Sequence, residues 1–130
     1  LQRTAGPSCV VLTRQALPQQ PRDATTHAAI ARGGYVLLDC PGMPEAIVIA
    51  TGSEVGFCAD AVRELQAAGR RIRLVSMPCS DVFEAQDSSW REAVLPRSVI
   101  RRVAVEAGAT QVSTGLARRA KRPTCIAPMA

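Results

Sequence analysis

Two apolar runs decide the fold. The first is Ala46-Ile47-Val48-Ile49-Ala50, and the second is Ile72-Arg73-Leu74-Val75-Ser76-Met77, closed by Pro78. An unbroken run such as 46–50 suits a strand buried on both faces of a parallel sheet. Between the runs, Val55, Cys58, Ala59, Val62 and Leu65 recur at helical spacing, with Asp60, Arg63, Glu64 and Gln66 on the opposite face. Thr51-Gly52-Ser53-Glu54 has the spacing of a capping box at the start of that helix, and Gly69 stands where a helix is stopped. Strand, helix and strand of these lengths make a βαβ unit. Aromatic residues form only 3% of the chain, so the core must be aliphatic, and the class expected is α/β.

Working outward, 99–105 reads as a third strand carrying Arg101 and Arg102, with Glu106 and Gly108 at its carboxyl end. The stretch 87–95 reads as a short helix cut off by Pro96, with Trp90 as a packing residue. Upstream, Tyr35-Val36-Leu37-Leu38 reads as a short strand, and Pro41, Gly42 and Pro44 after it signal a break. Residues 8–14 are β-branched and apolar, as in a strand that delivers Thr13 and Arg14 at its carboxyl end. Residues 15–27, with Pro18 and Pro21, read as a loop or linker. From Gln111 onward neither period survives.

The 130 residues suit one domain of ordinary size. The apolar run around Ile47–Ala50 is far shorter than the roughly twenty residues of a membrane span, so no membrane role is expected. No signal-peptide pattern opens the chain, and its start at Leu1 suggests that the true start lies upstream. Four of the five net positive charges come from Arg118, Arg119, Lys121 and Arg122, in a stretch without an acid. The remaining body is nearly neutral, which argues against a nucleic-acid partner. Five scattered cysteines without a C-x-x-C pair, beside the lone His27, supply no zinc set and read as reduced thiols of a cytoplasmic protein.

Few residues suggest chemistry. A guanidinium at a strand end can clasp a phosphate or carboxylate with two parallel bonds, and Arg14 is so placed; a structural ion pair explains it equally well. The Thr51–Ser53 turn could cradle an anion, yet lacks both phosphate-loop signatures, and a tight strand-to-helix turn accounts for every residue in it. His27 reads as an exposed loop histidine, and Glu106 as an acid/base group or a structural one.

Six strings occur in an order that resembles the C-terminal third of transketolases. They are Leu12-Thr13-Arg14-Gln15-Ala16-Leu17-Pro18-Gln19, Arg32-Gly33-Gly34-Tyr35-Val36-Leu37, Ile49-Ala50-Thr51-Gly52-Ser53-Glu54-Val55, Arg73-Leu74-Val75-Ser76-Met77-Pro78, Trp90-Arg91-Glu92-Ala93-Val94-Leu95-Pro96 and Val103-Ala104-Val105-Glu106-Ala107-Gly108. The resemblance covers roughly residues 1–109. It implies a partial Rossmann-like C-terminal domain with a mixed, mostly parallel sheet, preceded by the last strand of a pyrimidine-binding domain. The implied division is 1–20 for the end of that domain, 21–43 for a linker, 44–110 for the partial C-terminal domain and 111–130 for an aberrant or disordered tail.

The resemblance also implies an enzyme dependent on thiamine diphosphate and Mg²⁺. It would move a two-carbon ketol unit from a ketose phosphate to an aldose phosphate in the pentose phosphate pathway, as a cytoplasmic homodimer. Arg14 matches the arginine that contacts the sugar phosphate, with Thr13 where the family more usually has serine. No catalytic, cofactor-binding or metal-binding residue is carried over, and no cofactor is expected to bind this chain alone. The tail departs from the family pattern, which suggests a frameshift or a misread end. The rival readings are another thiamine-diphosphate enzyme (dihydroxyacetone synthase-like, or a 2-oxo acid dehydrogenase β-subunit) and a non-catalytic anion-binding module using the Thr51 turn.

Overall fold

A computed structural model of the chain describes residues 6–7 and 13–107. Four strands and four helices follow in the order α1 (Ala24–Ile30), β1 (Tyr35–Leu38), β2 (Ala46–Ala50), α2 (Glu54–Ala67), β3 (Ile72–Ser76), α3 (Ser80–Glu84), α4 (Ser88–Val94) and β4 (Arg102–Val105). The sheet order is β1-β3-β2-β4. β2 lies parallel to both β3 and β4, while β1 runs antiparallel to β3. The sheet is therefore mixed and mostly parallel, as the resemblance implies.

Strand alternation sorts the core into two layers. Ile47, Ile49, Val75 and Met77 face one side, where Phe83 of α3 and Val94 of α4 meet them with Leu95 and Val99. Ala50, Ile72 and Leu74 face the other, under Val55, Cys58, Ala59 and Val62 of α2. Val48 shares that second side but stays half-buried, so β2 is not equally covered on its two faces. Leu65, expected on the packed face, is 42% exposed, one turn beyond Val62 where α2 has passed the sheet.

The helix ends show which local signals hold. At the end of α2, Arg70 N–H donates to Leu65 O and Gly69 N–H to Gln66 O, the double closure that Gly69 permits. At its start the expected capping box does not form. Ser53, not Thr51, is the N-cap, and its hydroxyl donates to Glu54 Oε1 (2.8 Å) instead of bonding the backbone. Gly52, at φ +60°, makes the turn between Thr51 and the helix.

Asp23 caps α1 by accepting from Thr26 N–H (2.6 Å), so part of the stretch read as linker is helical. Its weakly apolar sequence hides the element, which shows itself only through that cap. Tyr35–Leu38, upstream of the Pro41–Pro44 signal, is the edge strand of the same sheet. The proline-rich turn thus joins β1 to β2 within one sheet. Gly33, at φ +84°, fits this edge closely. A Cβ there would lie 2.5 Å from Cys79 O and Phe83 N, so the chain before β1 can sit on α3 only without a side chain.

Arginines tie the layers together. The Arg73 guanidinium grips Asp39 through two bonds (2.9 and 3.0 Å) and donates to Ala93 O and Val94 O at the end of α4. Arg102, only 6% exposed, donates to the carbonyls of Leu95, Pro96 and Val99. Val99 N–H also donates to Pro96 O (3.0 Å), so Val99 closes a turn and the strand begins at Arg102 rather than Val99. Arg32 lies 4.0 Å over the Trp90 ring and pairs with Asp87, while Trp90 Nε1–H donates to Gly34 O (3.1 Å).

Candidate functional site

Arg14 lies in irregular, exposed chain at the start of the main described segment. Residues 8–12, the body of the strand expected to carry it, lie outside the described residues. Thr13 shapes the backbone around it: Thr13 Oγ1 accepts from Gln15 N–H (3.1 Å), a side-chain turn that spans Arg14. No ion pair of the Arg14 guanidinium occurs among the described residues. Of the two roles open to an arginine at this place, the structural ion pair has no partner there.

The chain after Arg14 crosses the first turns of α2. Pro18 lies against Gly56, where a Cβ would meet the proline ring at 3.5 Å. Gln20 is 7% exposed; its Oε1 accepts from Arg63 Nη2 (3.1 Å) and its Nε2 donates to Pro18 O (3.4 Å). A crevice of about 370 Å³ runs between this segment and the Gly52 turn, lined by Leu17, Pro18, Gln20, Arg22, Gly52 and Val55. The sequence gives little sign of Gln20 or Arg63, because both read as surface residues. Gly56 inside a helical pattern was the available signal, since a mid-helix glycine marks close approach.

A second cavity, of about 330 Å³, opens at the carboxyl ends of β2, β3 and β4, where open α/β sheets place ligands. Thr51, Cys79, Ser80, Asp81 and Glu106 line it with the apolar ends of the strands. Its lining holds two carboxylates and no basic side chain among the described residues, so its charge opposes a phosphate at the Thr51 turn. The structure brings Glu106 and Thr51 together here. His27 is exposed in the last turn of α1, apart from both cavities, and Gly108 lies outside the described residues.

The thiols divide by burial. Cys40 and Cys58 are buried and Cys79 is exposed, while Cys9 and Cys125 lie outside the described residues. Burial pushes the Cys40 and Cys58 thiols up, helped by the charges of Asp39 and Glu54 respectively. Among the described residues no three His, Cys, Asp or Glu side chains group as metal ligands.

Residues 33–127 match the family model of the transketolase-like TK C-terminal domain. The chain belongs to the transketolase family. It is 53% identical over 108 residues to transketolase 2 of Aliivibrio fischeri and 54% identical over 108 residues to transketolase 1 of Escherichia coli. Each alignment takes in 83% of this chain and 16% of the relative, so the chain spans about a sixth of the curated transketolases it matches. Among solved structures, a transketolase from Leishmania mexicana superposes with a TM-score of 0.63 at 35% identity, covering 78% of this chain and 14% of that one. A Pichia stipitis transketolase in complex with sedoheptulose-7-phosphate superposes equally well, with a TM-score of 0.63 at 34% identity, covering 75% and 14%. The transketolase family match reaches residue 127, into the stretch set apart as a tail, which lies outside the described residues.

Proposed function

We propose that this chain is the C-terminal part of an enzyme that transfers a two-carbon ketol unit between sugar phosphates, and that Arg14 grips the phosphate of the sugar. The observation carrying this reading is the pairing of family membership with Arg14. It is an exposed guanidinium, spanned by the Thr13 turn and without an ion pair among the described residues. A dianionic phosphate offers such a group two parallel charge-assisted bonds, which a neutral hydroxyl cannot replace. Transfer would depend on thiamine diphosphate and Mg²⁺ held by other parts of the enzyme. The group would supply the carbanion chemistry, while this segment binds and orients the phosphate end of the substrate.

In this reading residues 1–20 end the pyrimidine-binding domain, the linker is confined to the stretch before Tyr35, and the sheet unit begins with β1. The enzyme works as a cytoplasmic homodimer in the pentose phosphate pathway. No helix among the described residues is long and apolar enough to cross a membrane. The test is Arg14→Ala in the complete enzyme that carries this segment. KM for a ketose phosphate rises about tenfold or more, as one charge-assisted contact implies, while KM for an unphosphorylated ketose stays constant. An unchanged KM for the phosphorylated sugar removes Arg14 from the site.

A further inference from the structure

The segment linking Arg14 to α1 does not hang free. Gly56 and Arg63 are seven residues apart on α2, two helical turns, and so lie on one stripe of the helix. The stripe meets the segment twice. At Gly56 the missing side chain lets the Pro18 ring rest on the helix backbone. At Arg63 the guanidinium reaches Gln20 Oε1 at 3.1 Å, while its other nitrogen donates to Asp60 Oδ1 at 2.9 Å and is oriented by it. Gln20, 7% exposed, closes the arrangement by donating back to Pro18 O.

We propose that Pro18 on Gly56 and Gln20 on Arg63 form a clamp that fixes the downstream side of Arg14, making Gln20 and Arg63 positioning residues for recognition of the sugar phosphate. The proposal rests on the reading of Arg14 as the phosphate ligand. The geometry gives it a length scale. Pro18 lies four chain steps beyond Arg14, a reach of at most about 14 Å; Asp23, the next fixed point, lies nine steps beyond it, a reach of about 32 Å. Releasing the clamp lets the downstream chain wander over the longer distance and lowers the fraction of time the guanidinium faces the phosphate. Neither Gln20 nor Arg63 has to touch the substrate. The effect belongs to binding of phosphorylated sugars and not to the chemical step.

The experiment uses the complete enzyme carrying this segment, with Gln20→Ala, Arg63→Ala, Arg63→Lys and Arg14→Ala assayed in parallel against a ketose phosphate and an unphosphorylated ketose. Arg63 is exposed, so its replacement leaves the fold in place. The clamp predicts that Arg63→Ala and Gln20→Ala each raise KM for the phosphorylated donor about fivefold, with kcat within about twofold and little change for the unphosphorylated donor. The double variant is no worse than Gln20→Ala alone, because Arg63 acts on the segment through Gln20. Arg63→Lys, which keeps a donor for Gln20, restores most of the loss. No rise, or an equal rise for both donors, while Arg14→Ala still raises KM overturns the clamp and leaves the Arg14 reading standing. An unchanged KM in Arg14→Ala overturns both.

Discussion

Arg73 offers the sharpest test of how this sheet is held, because it makes two kinds of contact that perturbations separate. One side of its guanidinium pairs with Asp39, whose side chain is 52% exposed; the other caps the last carbonyls of α4 at 2.8 and 3.2 Å. The Arg73 side chain is itself only 11% exposed. An exposed ion pair contributes about 0.2–1 kcal/mol and is screened by salt. A bond from a charged donor to a carbonyl contributes about 1.5–3 kcal/mol, with two such bonds worth less than their sum. Arg73→Met keeps the aliphatic stem and should cost about 3 kcal/mol, whereas Asp39→Asn should cost under about 1 kcal/mol. Urea unfolding of the 130-residue chain, followed by far-UV circular dichroism, reads both. At a slope of about 1.5 kcal/mol/M the arginine variant loses about 2 M in midpoint and the aspartate variant under about 0.7 M. Equal losses in the two variants would show that the ion pair dominates and refute the assignment of the energy to the α4 carbonyls.

Other outcomes follow from single contacts. Gly33→Ala forces a Cβ to 2.5 Å from the backbone of Cys79 and Phe83 at φ +84°, and should destabilise by about 2–4 kcal/mol in the same urea assay; a loss under about 0.5 kcal/mol would contradict that packing. Asp87, held down to about 2 by the Ser89 hydroxyl, the Trp90 N–H and Arg32, stabilises the native state above the ordinary carboxylate value of 3.8. That contribution fades as pH falls through about 2, and Trp90, the single tryptophan, reports it by fluorescence. Asp87→Asn should flatten this acid limb, and an unaltered limb would exclude Asp87 as its source. In peptide-mapped alkylation, Cys79 should label well ahead of Cys40 and Cys58, whose thiols burial pushes up; equal rates would contradict the core.

What the sequence made legible depended on how each element earns its stability. β2, α2 and β3 carry their instructions in apolar period alone, and the buried positions Val55, Cys58, Ala59 and Val62 fall where that period puts them. α4 was readable from Pro96 after it, because a breaker is local chemistry, while Asp87, read as part of the helix, is its N-cap. α1 and α3, of seven and five residues, were not readable, since so short a helix shows no apolar stripe and depends on its neighbours. The break at Pro41–Pro44 shows the opposite problem. Turn residues mark where a chain bends and carry no information about whether the strands on either side pair. Arg14 was visible as a residue, and its role came through the resemblance. Its support was not visible, because a buried glutamine bonded to an arginine 43 residues away leaves no local pattern.

The most direct test of the central claim is a crystal structure of the complete enzyme with a ketose phosphate bound. The account predicts both outer nitrogens of the Arg14 guanidinium within about 3 Å of phosphate oxygens. A phosphate seated elsewhere, with Arg14 paired to a carboxylate of the protein, would contradict it.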